Sequence, residues 1–400
     1  MSHSRTSVLV VGAGPTGLMT ALGLTHSGFD VRVIDERSQR LGRSKATTVW
    51  PRQLELFRGV GIADTVIGAS TRVERVTVST PQRRLATFEL SDLQRVVYPF
   101  GVSIPQPNLE AILEDRLDSV GVKVERNIRL TDLVQTGSGV NVYLERTDDS
   151  PLRGSADDSE YQFVVGADGA RSAVRGLAGL GYEHLGGPLT FAITDVPIDG
   201  PVPRHDVGYY YSDDGALGLV PMGAAGFRIA IGVPPDAADV GTAGFQAALR
   251  RRTGLEGVVV GELPWESHFE VLFRHADRYA RGRVAIVGDA AHTMSPAGGQ
   301  GMNSGLKDAA LLTSTLSSVD PGDMSAIETA MDFYTRQRRR DLRRIMRTSR
   351  LLTRFGASDS TTALLQRGLL SQAVRRSPRL RQSVTKRIGQ LDRRHLRLAV

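Results

Sequence analysis

The chain of 400 residues contains no cysteine. That absence excludes disulfides, thiolate metal sites and cysteine nucleophiles together. No uninterrupted apolar run reaches the roughly 18 residues that suggest a membrane-spanning helix. The apolar segment Ser7 to Val11 is broken by glycine at once. It is too short for a signal-peptide core, and no small-residue cleavage site follows it. A soluble, cytoplasmic protein is the expectation. Internal repeats and low-complexity linkers are missing as well. Acidic residues are scarce at one end: residues 336–400 carry 19 basic and 3 acidic side chains, a net of +16. The whole chain is +7, so residues 1–335 stand at −9. The basic run 336–344 is interleaved with Leu342, Ile345, Met346, Leu351 and Leu352 at helical spacing. That pattern reads as an amphipathic helix with a solvated basic face, not as a nucleic-acid stripe. Weak attraction to an anionic cofactor or membrane surface is what such a face retains.

With 40% hydrophobic residues the chain builds a large core, and its length predicts two closely joined domains. Residues 7–12 read as a buried strand, 16–27 as a helix, and 30–35 as a second strand, which makes a βαβ unit on a parallel sheet. Between strand and helix stands Gly12-Ala13-Gly14-Pro15-Thr16-Gly17, a G-x-G-x-x-G turn. There Gly12 permits the tight turn, Gly14 lets a pyrophosphate approach the backbone, and Gly17 lets helix and strand pack closely. The helix N-terminus, beginning at Pro15 and Thr16, offers free N–H groups and a positive dipole end. The acid expected for a ribose hydroxyl is Asp35 at the end of the second strand, with Glu36 beside it. By itself the motif does not choose between NAD and FAD.

A second βαβ-like passage comes much later, with a strand at 283–288 and a helical stretch over 300–316. Between them, roughly 179–275, lie short strands broken by glycine and proline. Val207–Tyr211, Leu217–Pro221 and Phe227–Val233 are among them, and together they suggest an antiparallel sheet. The last 80 residues read as mostly helical, with loops around Gly356–Asp359 and Ser377–Pro378.

Two further segments, FVVGADGARSAVR (163–175) and GRVAIVGDAAHTMSPAGGQGMNSGLKD (282–308), complete a set of three with GAGPTG. In order and spacing the set resembles the fingerprints of the p-hydroxybenzoate hydroxylase-like (class A, single-component) FAD-dependent monooxygenases, over nearly the whole chain. The resemblance implies an α/β fold, with a Rossmann-like FAD-binding domain interleaved with a β-sheet substrate domain and followed by C-terminal helices. The expected segments are 1–75, 102–178 and 276–335 for FAD, 76–101 and 179–275 for the substrate sheet, and 336–400 for the basic helical region. Gly288 and Asp289 end a strand where ligands of open α/β sheets sit, and Asp289 is expected to accept a hydrogen bond from the ribityl chain. The run Gly298-Gly299-Gln300-Gly301 after Pro296, continuing through Met302 and Asn303, offers bare backbone to a flat ring and opens a helix whose N–H groups face an anion.

Further roles follow from the same resemblance. Asp168 and Gly169 assist FAD and the pyridine nucleotide, with Arg171 and Arg175 following; otherwise Asp168 is a turn residue before a helix cap at Ser172. Gln106 reaches the ribityl or ring region. Where the family has a phosphate-contacting arginine, this chain has Lys45, with Arg43 nearby; lysine lacks the bidentate fork. His292 is expected to pack rather than move protons.

The implied reaction uses NADPH or NADH to reduce FAD, and O2 to form a flavin C4a-hydroperoxide that hydroxylates an electron-rich, aromatic or polycyclic substrate. The oxidant belongs to the cofactor, so no side-chain base and no metal is expected. The protein's tasks are to exclude water and to delay reduction until substrate arrives. Tyr209 and Tyr211, on one face of a strand, are the candidate substrate contacts. Baeyer–Villiger insertion or another oxidative flavoenzyme on the same fold is the alternative, and a non-enzymatic FAD-binding protein a more distant one. With only Trp50 and Trp265 there is no Trp-x-Trp motif, which argues against a halogenase. No room is expected for the thioredoxin-like domain that some relatives carry.

Overall fold

The computed structural model describes residues 7–40, 42, 46–148, 156–184, 189–294, 298–357 and 376–391. Its described helices are α1 (Pro15–His26), α2 (Pro51–Gly59), α3 (Ala63–Gly68), α4 (Gln106–Ser119), α5 (Ala173–Leu177), α6 (Gly241–Thr253), α7 (Gly301–Leu316), α8 (Met324–Ala357) and α9 (Pro378–Ile388).

A six-stranded sheet carries all three motifs. Its order is Ala280–Arg281, Val284–Ile286, Phe163–Gly166, Ser7–Val11, Asp30–Asp35 and Val124–Arg126. Only the outermost strand, Ala280–Arg281, runs antiparallel to its neighbour. Because the other five are parallel, their carboxyl ends lie along one edge. The register pairs Val11 with Gly166 and Gly166 with Ile286, so the three motif turns leave the sheet side by side. Val8–Val11, Phe163–Val165 and Val284–Ile286 at the centre of this sheet are buried, which is why they read as continuous apolar runs.

Glycines set the packing above that edge. A side chain at Gly17 would place its Cβ 1.9 Å from the Gly12 carbonyl oxygen. At Gly305 it would stand 2.4 Å from Thr16 Oγ1, and at Gly288 2.8 Å from the same atom. Thr16 therefore sits in a slot between the turn after Val284–Ile286 and α7, and the first and third motifs are locked together by the absence of side chains.

A seven-stranded sheet forms the second layer, in the order Ser267–Val271, Leu189–Val196, Phe227–Val233, Gly215–Pro221, Asp206–Ser212, Arg75–Ser79 and Arg84–Glu89. It departs from the expected antiparallel sheet at one point, where Asp206–Ser212 pairs with Arg75–Ser79 in parallel. A three-stranded sheet, 128–135, 140–146 and 156–161, and helix α6 are additions that the sequence pattern did not single out.

The C-terminal region corrects two expectations. Helix α8 continues through Gly356, where a loop was expected. More important, Arg338 is not on a solvated face; it is fully buried. Ile327, Met331, Tyr334, Leu342 and Met346 are buried on the same helix. The spacing 327, 331, 334, 338, 342 places Arg338 inside the apolar stripe rather than opposite it. Arg336, Arg340, Arg343 and Arg344 do face solvent. No described helix is long and apolar enough to cross a membrane.

Candidate active site

The site is built where the three turns meet. Gly12 has φ +104°, and a Cβ there would lie 2.5 Å from the Ala167 carbonyl oxygen, so glycine is required by the protein itself. Gly14 differs: its added Cβ would meet no protein atom within 4 Å. The same holds for Gly301 at the start of α7. Gly14 thus leaves open space at the N-terminus of α1, where unpaired N–H groups and the dipole favour a pyrophosphate. This fits a dinucleotide.

Asp35 is buried at the end of its strand. One carboxylate oxygen accepts the Ala13 N–H at 2.8 Å and an Arg37 guanidinium N–H at 2.8 Å. The other accepts the backbone N–H and Nε of Arg37 at 2.9 and 3.0 Å. Burial would raise this carboxyl, but the Arg37 and Ala13 donors outweigh burial and hold it below its ordinary value. The Arg37 side chain that covers Asp35 is itself partly exposed. Glu36 is exposed and turns outward to Arg129 at 3.2 Å. Gln106 opens α4 and donates to buried Glu110 at 2.8 Å. Burial lifts the Glu110 carboxyl above its usual range, partly offset by Gln106 and Arg37.

In the middle motif, Gly169 takes φ +81°. Asp168 is engaged locally: it accepts the Ser172 hydroxyl at 2.5 Å and the Val174 N–H at 3.1 Å, while Ser172 caps α5. Arg175 reaches across instead. It donates to the Ala290 carbonyl at 2.9 Å and lies 3.9 Å above the Tyr182 ring, whose hydroxyl donates to the Asp289 carbonyl at 3.2 Å. The second motif thereby braces the turn that presents Asp289, whose side chain is exposed at the sheet edge.

Gly288 is held from beneath. Its N–H donates to Asp308 at 2.9 Å, and the same carboxylate oxygen pairs with His292 Nε2 at 2.6 Å. The other oxygen pairs with Arg338, and all three side chains are fully buried. Burial would raise the Asp308 carboxyl, but Arg338 and His292 outweigh it and keep it below the ordinary range. His292 is therefore a packed partner of Asp308.

The Gly298–Gly301 segment is gripped from several sides. Gly298 and Gly299 adopt φ +88° and +61°. Trp50 Nε1 and Gln300 Nε2 both donate to the Gly298 carbonyl, at 3.0 and 2.9 Å. Asn303, fully buried, accepts the Trp50 N–H at 3.0 Å and donates to the carbonyls of Thr48 and Gly299 at 2.7 and 2.6 Å. Its amide is used within the protein, so it shapes the loop. Met302 packs against the main core. A side chain at Gly299 would approach Thr48 and Trp50, at 3.3 and 3.4 Å. From the second sheet, Tyr209 receives the Gly298 N–H and lies near Tyr211; burial, with Tyr211, pushes its phenol well above the ordinary value. Tyr210 faces the opposite core. Tyr209 and Tyr211 thus share one side of the strand, as the alternation predicts, and Tyr209 meets the glycine loop. Arg43, Lys45 and Pro296 lie outside the described residues.

Several participants were invisible in the sequence. Trp50, Thr48, Gln53 and Gln390 come from segments with no motif. Asp308 is the last residue of the third motif, and its spacing from Asn303, five residues along α7, was the available signal.

A Rossmann-type sheet with three converging turns and a second sheet facing the glycine loop defines a flavin-dependent aromatic hydroxylase fold. A family model described as FAD binding domain matches residues 5–349. The chain is 35% identical over 337 residues to the 6-methylpretetramide 4-monooxygenase of Streptomyces rimosus, covering 83% of this chain and 58% of that protein. It is 30% identical over 392 residues to an uncharacterized aromatic compound monooxygenase of Bacillus subtilis (strain 168), covering 97% and 76%. The chain thus spans about three-fifths to three-quarters of the length of such relatives. Among solved structures, the p-nitrophenol 4-monooxygenase of Pseudomonas putida DLL-E4 superimposes with a TM-score of 0.84 over 98% of each chain at 21% identity, a likeness of fold. The chain belongs to the FAD-binding family of p-hydroxybenzoate hydroxylase-like monooxygenases.

Proposed function

We propose that this protein is an NAD(P)H-driven, FAD-dependent monooxygenase that hydroxylates an aromatic or polycyclic, natural-product-like substrate. The observation that carries the reading is the convergence at one sheet edge of an open pyrophosphate cradle at Gly14, the Asp289 turn, and a glycine loop faced by Tyr209 and Tyr211. FAD, when bound, supplies oxygen activation, and the nicotinamide cofactor supplies electrons. Gly14 and the N-terminus of α1 receive the pyrophosphate; Asp35 and Arg37 lie at the adenosine ribose; Asp289 holds the ribityl chain. Asp168, Gly169 and Gln106 flank this channel. The N-terminus of α7, with Gly298 to Asn303, lies against the ring's pyrimidine end, where its dipole favours negative charge. The second sheet closes over the ring, excludes water and presents Tyr209 and Tyr211 to an apolar substrate. Relatives are named for phenolic or polycyclic molecules, among them the pentachlorophenol 4-monooxygenase of Sphingobium chlorophenolicum and the anhydrotetracycline monooxygenase of Streptomyces rimosus.

The test is direct. The purified protein should be yellow with non-covalent FAD. Aromatic compounds should be screened for stimulated NADH or NADPH oxidation, and the product of the best compound analysed with labelled O2. One labelled oxygen in a hydroxyl group supports the reading. Label in a ring-expanded ester would replace it with Baeyer–Villiger insertion, and the absence of substrate-stimulated oxidation across a broad screen would count against an enzyme.

A further inference from the structure

The turn after α9 contains a residue in an unfavourable conformation. Gln390 has φ +54° and is 2% exposed. The Leu391 N–H bonds the Lys386 carbonyl at 2.8 Å, and the Gln390 N–H bonds the Arg387 carbonyl at 3.1 Å. This is the Schellman pattern that ends a helix, and Gln390 stands at its left-handed position, which glycine normally fills. Glycine is available one residue earlier, at 389, and is not used there. A branched-free but Cβ-bearing side chain in this conformation is strained, and it persists where something else requires that side chain.

The side chain shows what requires it. Gln53 Nε2 donates to Gln390 Oε1 at 2.9 Å, and Gln390 Nε2 donates to Gln300 Oε1 at 2.6 Å. Gln300 Nε2 then donates to the Gly298 carbonyl at 2.9 Å. Three amides point head to tail, from α2 through the C-terminal turn to the glycine loop. Such a chain polarises each member and fixes its direction. At its far end the Gly298 N–H meets Tyr209 of the second sheet. The turn itself is seated firmly: Val384, Ile388 and Leu391 pack on the cluster of Trp50, Val76, Phe88 and Val207.

We infer that Gln390 is a positioning residue for the flavin. It holds Gln300, and through it the Gly298 carbonyl, so that the glycine loop keeps one shape against the ring, and the C-terminal turn thereby becomes part of the cofactor site. The inference rests on the FAD reading above and adds to it a role for a segment 90 residues beyond the loop.

The test compares Gln390→Gly, Gln390→Asn and Gln300→Leu with the unsubstituted protein. Glycine relieves the backbone, and asparagine tolerates the left-handed position but is one methylene too short to span both partners. For each protein, FAD dissociation is measured by fluorescence, the bound flavin's visible spectrum is recorded, and the apoprotein is melted. The expected result for Gln390→Gly is an apoprotein melting close to the original temperature, because relief of the left-handed backbone offsets the lost amide bonds. Its FAD Kd should rise about tenfold, the scale of one lost buried hydrogen bond, with an altered flavin band. Asparagine should behave likewise, and the Gln390→Gly, Gln300→Leu double variant should be no worse than the poorer single, as members of one chain require. An unchanged Kd and spectrum in Gln390→Gly would overturn the inference while leaving the FAD reading intact. So would a drop in apoprotein melting that accounts for the lost flavin, or additive effects in the double variant. Failure of the unsubstituted protein to bind FAD would overturn both.

Discussion

Replacing Arg338 by methionine should be among the most damaging single changes available on α8, although the residue sits in a run of arginines that reads as surface. Its guanidinium neutralises Asp308 where neither group has any exposure. It also donates to the Ser304 carbonyl at 3.2 Å and pairs with Asp341 at 3.3 Å. Methionine fills similar space but leaves Asp308 buried beside His292 without its cation. Removing one member of a buried pair costs about 3–5 kcal/mol. Unfolding entropy of about 2.1 cal/mol/K per residue, applied to 400 residues, gives about 0.84 kcal/mol/K, so the melting temperature should fall by about 4–6 °C. Asp308→Asn should cost a similar amount by stranding Arg338. The double variant Arg338→Met, Asp308→Leu should recover only part of the loss: the unpaired carboxylate is gone, but His292 and the Gly288 N–H lose their acceptor.

The pH response carries a sign. In the native protein Asp308 lies below the ordinary carboxylate value, so its contribution is fully present above about pH 4 and is lost as pH falls through its folded pKa. With Arg338 gone, burial dominates and the folded pKa rises, so the variant should gain stability as pH is lowered from 7 toward 5. Thermal unfolding followed by circular dichroism and flavin release, at pH 5 and 7, measures both effects. A melting temperature within about 1 °C of the original, or a variant that loses stability between pH 7 and 5, would refute the reasoning.

Gly14→Val should abolish FAD retention while leaving apoprotein melting nearly unchanged, since no protein atom lies within 4 Å of the added Cβ; flavin absorbance per protein, with a melt of the apoprotein, decides. Tyr209→Phe removes the acceptor of the Gly298 N–H and should cost about 1–3 kcal/mol of stability, with more peroxide released per NAD(P)H consumed; a peroxide assay and a melt check it. Flavin reduction should accelerate about tenfold or more when the true substrate binds, which is about 1.4 kcal/mol of barrier; stopped-flow traces with equal rates in both conditions would remove the gating idea. Gly299→Val should disturb this control by pushing Thr48 and Trp50 out of place, and it should lower the stimulated rate while FAD stays bound.

The local chemistry of the three turns was legible in the chain alone. Strand, glycine turn and helix are written within a few residues, so the βαβ unit and the acid at 35 followed from periodicity and conformational need, while the Gly288-Asp289 turn and the loop before α7 were singled out by their resemblance to the family's fingerprints. The alternation that turns Tyr209 and Tyr211 to one side was equally local. What the sequence did not determine is which distant groups meet. Charge density around 336–344 described a surface helix, yet the apolar spacing of Ile327, Met331, Tyr334 and Leu342 carried Arg338 inward, where Asp308 made its burial tolerable. The contact between Gln390 and Gln300 spans 90 positions and obeys no period, because hydrogen bonding depends on distance in space and on the packing of Val384, Ile388 and Leu391 that brings the turn into reach. Motif and period record interactions between near neighbours along a chain. Partners from separate elements are fixed only when the cores close and bring buried polar groups within reach of one another.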